Sequence, residues 1–343
     1  MNINEHYMQR CLQLAAQGLG NVGSNPMVGS VVVCDGKIIG EGYHELFGCQ
    51  HAEVNAINNV SDQHLLSRST LYANLEPCSH TGKTPPCSTL IIEKKIPSVV
   101  IGMKDPFSKV NGSGIAALEN AGIKVTVGVL EEYCRELNKR FLCAHTKNRP
   151  YIILKWAQSA DGFTGRMNER VQISNESSKI LSHKWRSEEM AIMIGANTAR
   201  VDDPLLDVRF WQGKNPIKVI IDRSGVLQNH THLKILNSED AKYIFTSSQM
   251  TLNPNCKVIK IGDDGSFMSQ VFKELIQLGV TSCLVEGGST LHQVLIQENL
   301  WDEILVFTSP ISLGNGIKSP NLPILPSTIT PIDDNILTTI RNK

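Results

Sequence analysis

The chain has 343 residues, more than one hydrophobic core usually organises, and its apolar fraction of 41% suits a globular protein of two domains. Lys plus Arg and Asp plus Glu both number 33, so there is no basic excess of the kind that binds nucleic acid or an anionic membrane; a small-molecule substrate is favoured. The N-terminus mixes polar and apolar residues at helical spacing, no run of 18 apolar residues occurs, and nine cysteines lie at irregular spacing, which together predict a cytoplasmic protein with reduced thiols.

In chain order, Met8, Leu12, Ala15, Ala16 and Leu19 share one face of a helix over 5–19 that stops in the Gly18 to Gly23 cluster. SVVVC and KIIGEGYH flank Asp35-Gly36, a pair that suits a two-residue hairpin turn. A helix from about His51, a strand over Thr70 to Leu75, a helix from about Pro86, a strand over Val99 to Met103, a helix ending at Gly122, a strand over Lys124 to Val129 and a helix from Glu131 follow. This alternation predicts a three-layer α/β domain. The polar segment HTKNRP (145–150) precedes the strand-like run YIILKWAQSADG, which puts a boundary between domains at 1–146 and 147–343. The second half alternates too: a helix over 175–189, strands AIMIG, IKVIID, YIFTS and KVIKI, a helix over 270–278, strand SCLVE, helix TLHQVLIQ and strand EILVF. It is predicted to be a second α/β domain.

The most informative residues are His51-Ala52-Glu53, Pro77-Cys78 and Cys87. Catalytic zinc needs three protein ligands and one open position, and a carboxylate nearby to carry a proton. His51, Cys78 and Cys87 supply the ligands and Glu53 the carboxylate, as in the H-x-E and P-C-x-x-C pattern of zinc deaminases. His51 and Cys87 fall at predicted helix N-termini, where the helix dipole favours the Cys87 thiolate. A closed structural zinc with Cys49 or His80 as fourth ligand is the alternative, but it leaves Glu53 without a role. A nucleic-acid base deaminase would need a basic groove and the short two-residue spacing. Here eight residues, SHTGKTPP, separate Cys78 from Cys87.

Asn25-Pro26-Met27-Val28-Gly29, His51-Ala52-Glu53 and the segment from Pro77 to Cys87 resemble the deaminase half of the bifunctional riboflavin-biosynthesis deaminase/reductase family. The resemblance implies a cytidine-deaminase-like fold and a pocket lined by Asn25, His44, His80 and Lys83, with Asp105-Pro106 nearby. Beyond Asp105 the stretch PFSKVNGSG departs from the family pattern. In the second half LKWAQSADG, TARVDDPLLDVR and VEGGSTLHQVL resemble, in order, the reductase half, which implies a dihydrofolate-reductase-like fold binding NADPH. Glu286-Gly287-Gly288-Ser289 offers a glycine-rich turn into a helix, suited to a pyrophosphate, although no G-x-G-x-x-G fingerprint is present. By position the resemblance implies NADPH contacts at Gln158, Gln172, Thr198, Asp202, Ser224, Gly288, Ser289, Thr290, Leu291, His292, Gln293 and Val294. It implies substrate contacts at Arg170, Arg186, Leu206, Arg209 and Glu286, the arginines suiting a sugar phosphate. Gln172 stands where the family often has Trp, and Gln158 where it has Ala. Arg223-Ser224 and Thr246-Ser247-Ser248 end two predicted strands and are candidate donors to a ribose 2′-phosphate.

The activities so implied are zinc-dependent deamination of 2,5-diamino-6-(5-phosphoribosylamino)pyrimidin-4-one, with Glu53 as proton carrier, and NADPH-dependent reduction of the resulting ribosylaminouracil phosphate at C1′. A homo-oligomer, dimer or tetramer, is implied as well, and no partner protein.

Overall fold

The computed structural model describes residues 2–79, 85–107, 111–167 and 171–342. The chain forms two compact units, Met1–Lys147 and Asn148–Lys343.

The first unit contains α1 (Ile3–Ala15), β1 (Gly29–Cys34), β2 (Lys37–Tyr43), α2 (Ala52–Asn58), β3 (Thr70–Leu75), α3 (Cys87–Glu93), β4 (Ser98–Met103), α4 (Ser113–Asn120), β5 (Lys124–Val127), α5 (Glu131–Leu137) and α6 (Lys139–Lys147). Its sheet runs β2-β1-β3-β4-β5, antiparallel among the first three strands and parallel from β3 to β5. The predicted turn is present: Asp35 and Gly36 both have positive φ, at 50° and 73°. The side chains of neighbouring strand residues leave on opposite faces, so each strand feeds two cores. Val31, Val33, Tyr72 and Val100 pack with Met8, Cys11 and Leu14 of α1 and Cys134 of α5. On the other side Val32, Leu71, Ala73, Val99 and Ile101 pack with Ile57 of α2, Ile91 of α3 and Leu118 of α4. Helices on both faces make the expected three layers.

Two helix boundaries have identifiable causes, one local and one distant in sequence. Asn2 and Glu5 form a reciprocal capping box that starts α1 at Ile3, and a short 3-10 turn over Ala16–Gly18 follows it. The helix from Glu131 breaks at Asn138, whose side chain leaves the helical pattern to bond the backbone N–H and carbonyl of Met27. Glycines in β2 let α2 lie close on the sheet edge. A Cβ on Gly42 would stand 2.5 Å from the Ala56 nitrogen, so a side chain there would push α2, and His51 with it, off the strand.

The second unit contains β6 (Tyr151–Gln158), β7 (Phe163–Gly165), α7 (Glu176–Glu188), β8 (Ala191–Gly195), α8 (Ala196–Asp202), β9 (Ile217–Ile221), α9 (Lys234–Asn237), β10 (Lys242–Thr246), β11 (Cys256–Lys260), α10 (Phe267–Gln277), β12 (Ser282–Gly287), α11 (Ser289–Gln297), β13 (Glu303–Thr308), β14 (Ile317–Lys318), β15 (Ser327–Ile332) and β16 (Asn335–Arg341). Its main sheet runs β11-β10-β9-β8-β12-β6-β13-β16-β15 and is parallel except for β16 and β15. The hairpin of β15 and β16, turning at Asp333 with φ 54°, was not anticipated from the sequence. One sheet face packs Ile152, Leu154, Met193, Cys283, Val285 and Val306 against α10 and α11. Lys155, Glu286 and Phe307 occupy alternate positions and so leave on the opposite face, where Trp185 of α7 stacks on Phe307 at 5.4 Å. No helix among the described residues is long and apolar enough to cross a membrane.

Candidate active sites

In the first unit the parallel strands deliver the site to their carboxyl ends, where α/β sheets commonly bind ligands. Cys78 follows β3, Cys87 opens α3, and His51 is the residue capping α2. Their ligand atoms lie within 4.8 Å of one another. The His51 Nδ1 is 3.3 Å from Cys87 Sγ and 3.5 Å from Cys78 Sγ. The two nitrogen-to-sulfur separations match edges of a tetrahedral zinc site, whose bonds of about 2.0 Å to nitrogen and 2.3 Å to sulfur place those donors about 3.5 Å apart. Neither Cys49 nor any other described His, Cys, Asp or Glu joins the group, which leaves its fourth corner open among the described residues.

The two thiols differ from expectation in one respect. The backbone N–H of Cys87, at the start of α3, donates to Cys78 Sγ at 3.3 Å. Cys78, also bonded by the Cys87 thiol and His51, is held down at about 4 and is the natural thiolate. Cys87 is pushed up by its hydrogen bond to Cys78 and by burial. The helix terminus therefore serves Cys78 rather than Cys87, because the free N–H points across at the neighbouring sulfur.

Glu53 lies in the first turn of α2, buried, with its carboxyl pushed up to about 7, chiefly by burial and by the charge of the nearby Cys78. A carboxyl poised near neutrality can both accept and return a proton. His44 is buried with its ring edge-on to His51 at 5.7 Å. Its Nδ1 donates to the Gln50 carbonyl, which leaves Nε2 to accept from the Asn25 amide, both at 3.0 Å. Burial lowers the His44 pKa and keeps the ring in that neutral form. Asn25 is held by its own loop: Asn74 and Asn138 together bond the backbone of Met27 and Gly29. Asn25, His44, His51, Glu53, Cys78 and Cys87 thus form one cluster. His80 and Lys83 lie outside the described residues.

In the second unit Arg186 of α7 meets Glu286 at the end of β12 in a two-bond fork, 2.7 Å at each arm, and donates further to the Asp207 carbonyl at 3.0 Å. Lys155 stands 3.9 Å from the same carboxylate. Burial alone would raise the Glu286 carboxyl, but Arg186 and Lys155 outweigh it and hold it at about 2. Burial lowers the Lys155 ammonium. Arg209 pairs with Asp207, and its backbone N–H donates to His183 Nδ1 at 3.2 Å. Burial and the cations of Arg186 and Arg209 depress His183 to about 4, so its ring is a neutral acceptor. Leu206 is buried in the apolar cluster of Ile192, Ile194 and Leu227, at a positive φ of 53°. The sequence reading offered Arg186 as a phosphate fork. In the structure that fork is already matched to Glu286, and Arg209, nearly half exposed, is the more accessible cation.

The glycine turn also takes shape. Gly287 and Gly288 pass Thr198 so closely that a Cβ on Gly288 would stand 2.9 Å from its Oγ1. Gly288 caps α11, which presents the first N–H groups of that helix. Ser289 donates to the Lys318 carbonyl and Gln293 accepts from Asn321 N–H. Leu291 and His292 point into the core, where His292 bonds the Val285 carbonyl and packs on Trp156. Val294 is half-buried and packs against the same core, whereas the Thr290 side chain is exposed. Gln158 ends β6, bonded by the Trp156 indole N–H. Asp202 and Ser224 are exposed at the ends of α8 and β9. Gln172 is exposed without a hydrogen bond to any described residue, and Arg170 lies outside the described residues.

Lys155 and Glu76 went unread in the sequence. A lone lysine inside the apolar run YIILKWAQ was the available signal for the first, since a strand buried on both faces has no solvent for it. For Glu76 only its place beside Pro77-Cys78 hinted at a role.

Residues 1–103 match the cytidine and deoxycytidylate deaminase zinc-binding region, and residues 150–324 match the RibD C-terminal domain. The riboflavin biosynthesis protein RibD of Aquifex aeolicus is 39% identical over 94% of this chain and 91% of its own, and that of Escherichia coli 33% over 92% and 90%. A Thermotoga maritima diaminohydroxyphosphoribosylaminopyrimidine deaminase/5-amino-6-(5-phosphoribosylamino)uracil reductase superposes with a TM-score of 0.89 at 34% identity, covering 99% of this chain and 98% of that one. With both halves matched in order, and relatives aligned over more than nine-tenths of the chain, the chain belongs to the RibD family of bifunctional riboflavin-biosynthesis deaminase/reductases.

Proposed function

We propose that the first unit hydrolytically deaminates 2,5-diamino-6-(5-phosphoribosylamino)pyrimidin-4-one with zinc, and that the second reduces the product's ribosyl group with NADPH to the ribitylaminouracil phosphate. The convergence of His51, Cys78 and Cys87 on one point, with the buried Glu53 carboxyl against it, carries the first half. These three residues would hold the metal, which supplies a water acidic enough to attack near neutral pH. Glu53 takes the proton of that water as the new C–O bond forms, and returns it to the amine as the C–N bond breaks and ammonia leaves. Asn25, its amide oriented by His44, offers a donor and an acceptor to the pyrimidine edge.

In the second unit NADPH would supply hydride to C1′. The Gly287-Gly288 turn and the N-terminus of α11 suit its pyrophosphate, while Arg223, Ser224, Ser247 and Ser248 cluster at the carboxyl ends of β9 and β10, where they suit a 2′-phosphate. Lys155 and Arg186, fixed by Glu286, border the reacting sugar, and Arg209 reaches the substrate phosphate. A cytoplasmic homo-oligomer, dimer or tetramer, belongs to the same reading; β15 ends the sheet with an open strand edge that suits self-association.

The experiment is selective metal removal. Dialysis against a strong chelator, followed by removal of the chelator, abolishes ammonia release and leaves NADPH oxidation on the deaminated substrate within twofold; zinc restores the first activity. Ammonia release that survives in metal-free protein contradicts the assignment.

A further inference from the structure

Glu76 is almost fully buried, immediately before Pro77-Cys78, yet none of the steps above uses it. Its carboxylate accepts four backbone N–H groups. Oε2 takes Asp105 at 3.1 Å and Gly112 at 3.0 Å, and Oε1 takes Gly114 at 2.9 Å and Ile115 at 3.3 Å. Gly112, Gly114 and Ile115 are the capping residue and the second and third residues of α4, a helix whose capping residue contributes no side-chain bond. The donors a helix leaves unmatched at its start are therefore met by a carboxylate nearly forty residues upstream, where its charge also complements the helix dipole. Two further contacts tie the same pieces together. A Cβ on Gly114 would stand 2.0 Å from the Pro77 carbonyl, so α4 begins in direct contact with the residue before Cys78. Ser79, the residue after Cys78, shares a 2.6 Å hydrogen bond with Ser113. Cys78 is thus bracketed by Glu76 and Ser79, both fastened to the start of α4. The same Oε2 also gathers both ends of the connection between β4 and α4, at Asp105 and Gly112.

From this geometry we propose that Glu76 is a positioning residue of the deaminase centre: it fixes the metal ligand Cys78 to the start of α4 and ties Asp105, just after β4, to the same point. The inference rests on the zinc reading above. A ligand held through its backbone loses little freedom when it binds metal, and supports of this kind are worth about 10 to 100-fold in metal affinity or activity. Glu76→Gln is nearly isosteric but turns an NH2 group toward two N–H donors, so the anchor is lost without a change in volume.

The test measures zinc release from intact protein into a chromogenic chelator, with deaminase kcat and KM and reductase activity on the same samples. Glu76→Gln should release zinc about 10-fold faster and raise the deaminase KM, with reductase activity unchanged. Glu76→Asp keeps the charge on a shorter arm and should fall between the two. If Glu76→Gln does not fold, faster release and raised KM in Glu76→Asp carry the proposal alone. Wild-type release and KM in the folded variants overturn it, whatever their melting temperatures. Wild-type protein that binds no zinc overturns the zinc reading and this inference together, whereas zinc bound equally well by every variant overturns only this one.

Discussion

Glu53→Gln should lower ammonia release by about three orders of magnitude while zinc stays bound near one per chain, a loss in the middle of the range for a positioned proton carrier. Glutamine fills the same volume in the same buried first turn of α2, so the three ligands keep their places. What disappears is the ability to take a proton from water and return it to nitrogen, which an amide cannot do. Because the change weakens the chemical step, kcat falls and KM moves little. Reduction of the separately supplied ribosylaminouracil phosphate should remain within twofold, since its residues belong to the other unit. Metal analysis and the two assays on one preparation check all of this. Loss of zinc along with activity would instead make Glu53 a structural support.

Glu286→Gln should do the reverse, lowering reductase kcat/KM by about 100-fold and leaving the deaminase intact. The carboxylate is the common partner of Arg186, through two bonds of 2.7 Å, and of Lys155. A neutral amide leaves two poorly solvated cations facing each other, and they move apart. The same change should cost about 3 kcal/mol of stability in the second unit, the scale expected when one partner of a buried pair is removed. The pH dependence has a definite sign. Glu286 is held at about 2, below its ordinary 4.5, so its stabilisation is complete above about pH 4.5 and is lost as pH falls toward 2. Denaturant unfolding of the second unit in the variant should lack that acid-sensitive portion. A variant with full reductase activity and unchanged stability would show that Arg186 and Lys155 need no anchor.

How much of this was legible depends on whether the signal is local. The Asp35-Gly36 turn and the alternation of strand and helix are written in neighbouring residues, and both appear in the structure. The His51, Cys78 and Cys87 group was legible because few side chains can hold zinc and their order along the chain is distinctive. The break at Asn138 was not, since the force that ends α5 comes from Met27, more than a hundred residues away. The same holds for Arg186, which reads as an exposed helical residue or a phosphate fork until β12 brings Glu286 to it. His292 lies in a helix that follows the glycine turn, and helical periodicity, not proximity in sequence, sends its side chain into the core. Glu76 shows the limit most plainly. Its partners are backbone N–H groups, which carry no residue identity and leave no trace in a motif.

The central claim is that one chain carries two successive reactions. The most direct measurement gives the purified protein the diaminopyrimidine ribosyl phosphate, with and without NADPH, and follows ammonia and NADPH together. One ammonia should appear per substrate without NADPH, and one NADPH should then be consumed per ammonia, with no oxidation before the first product forms. Oxidation of NADPH without ammonia release, or ammonia release that never leads to oxidation, would contradict the account.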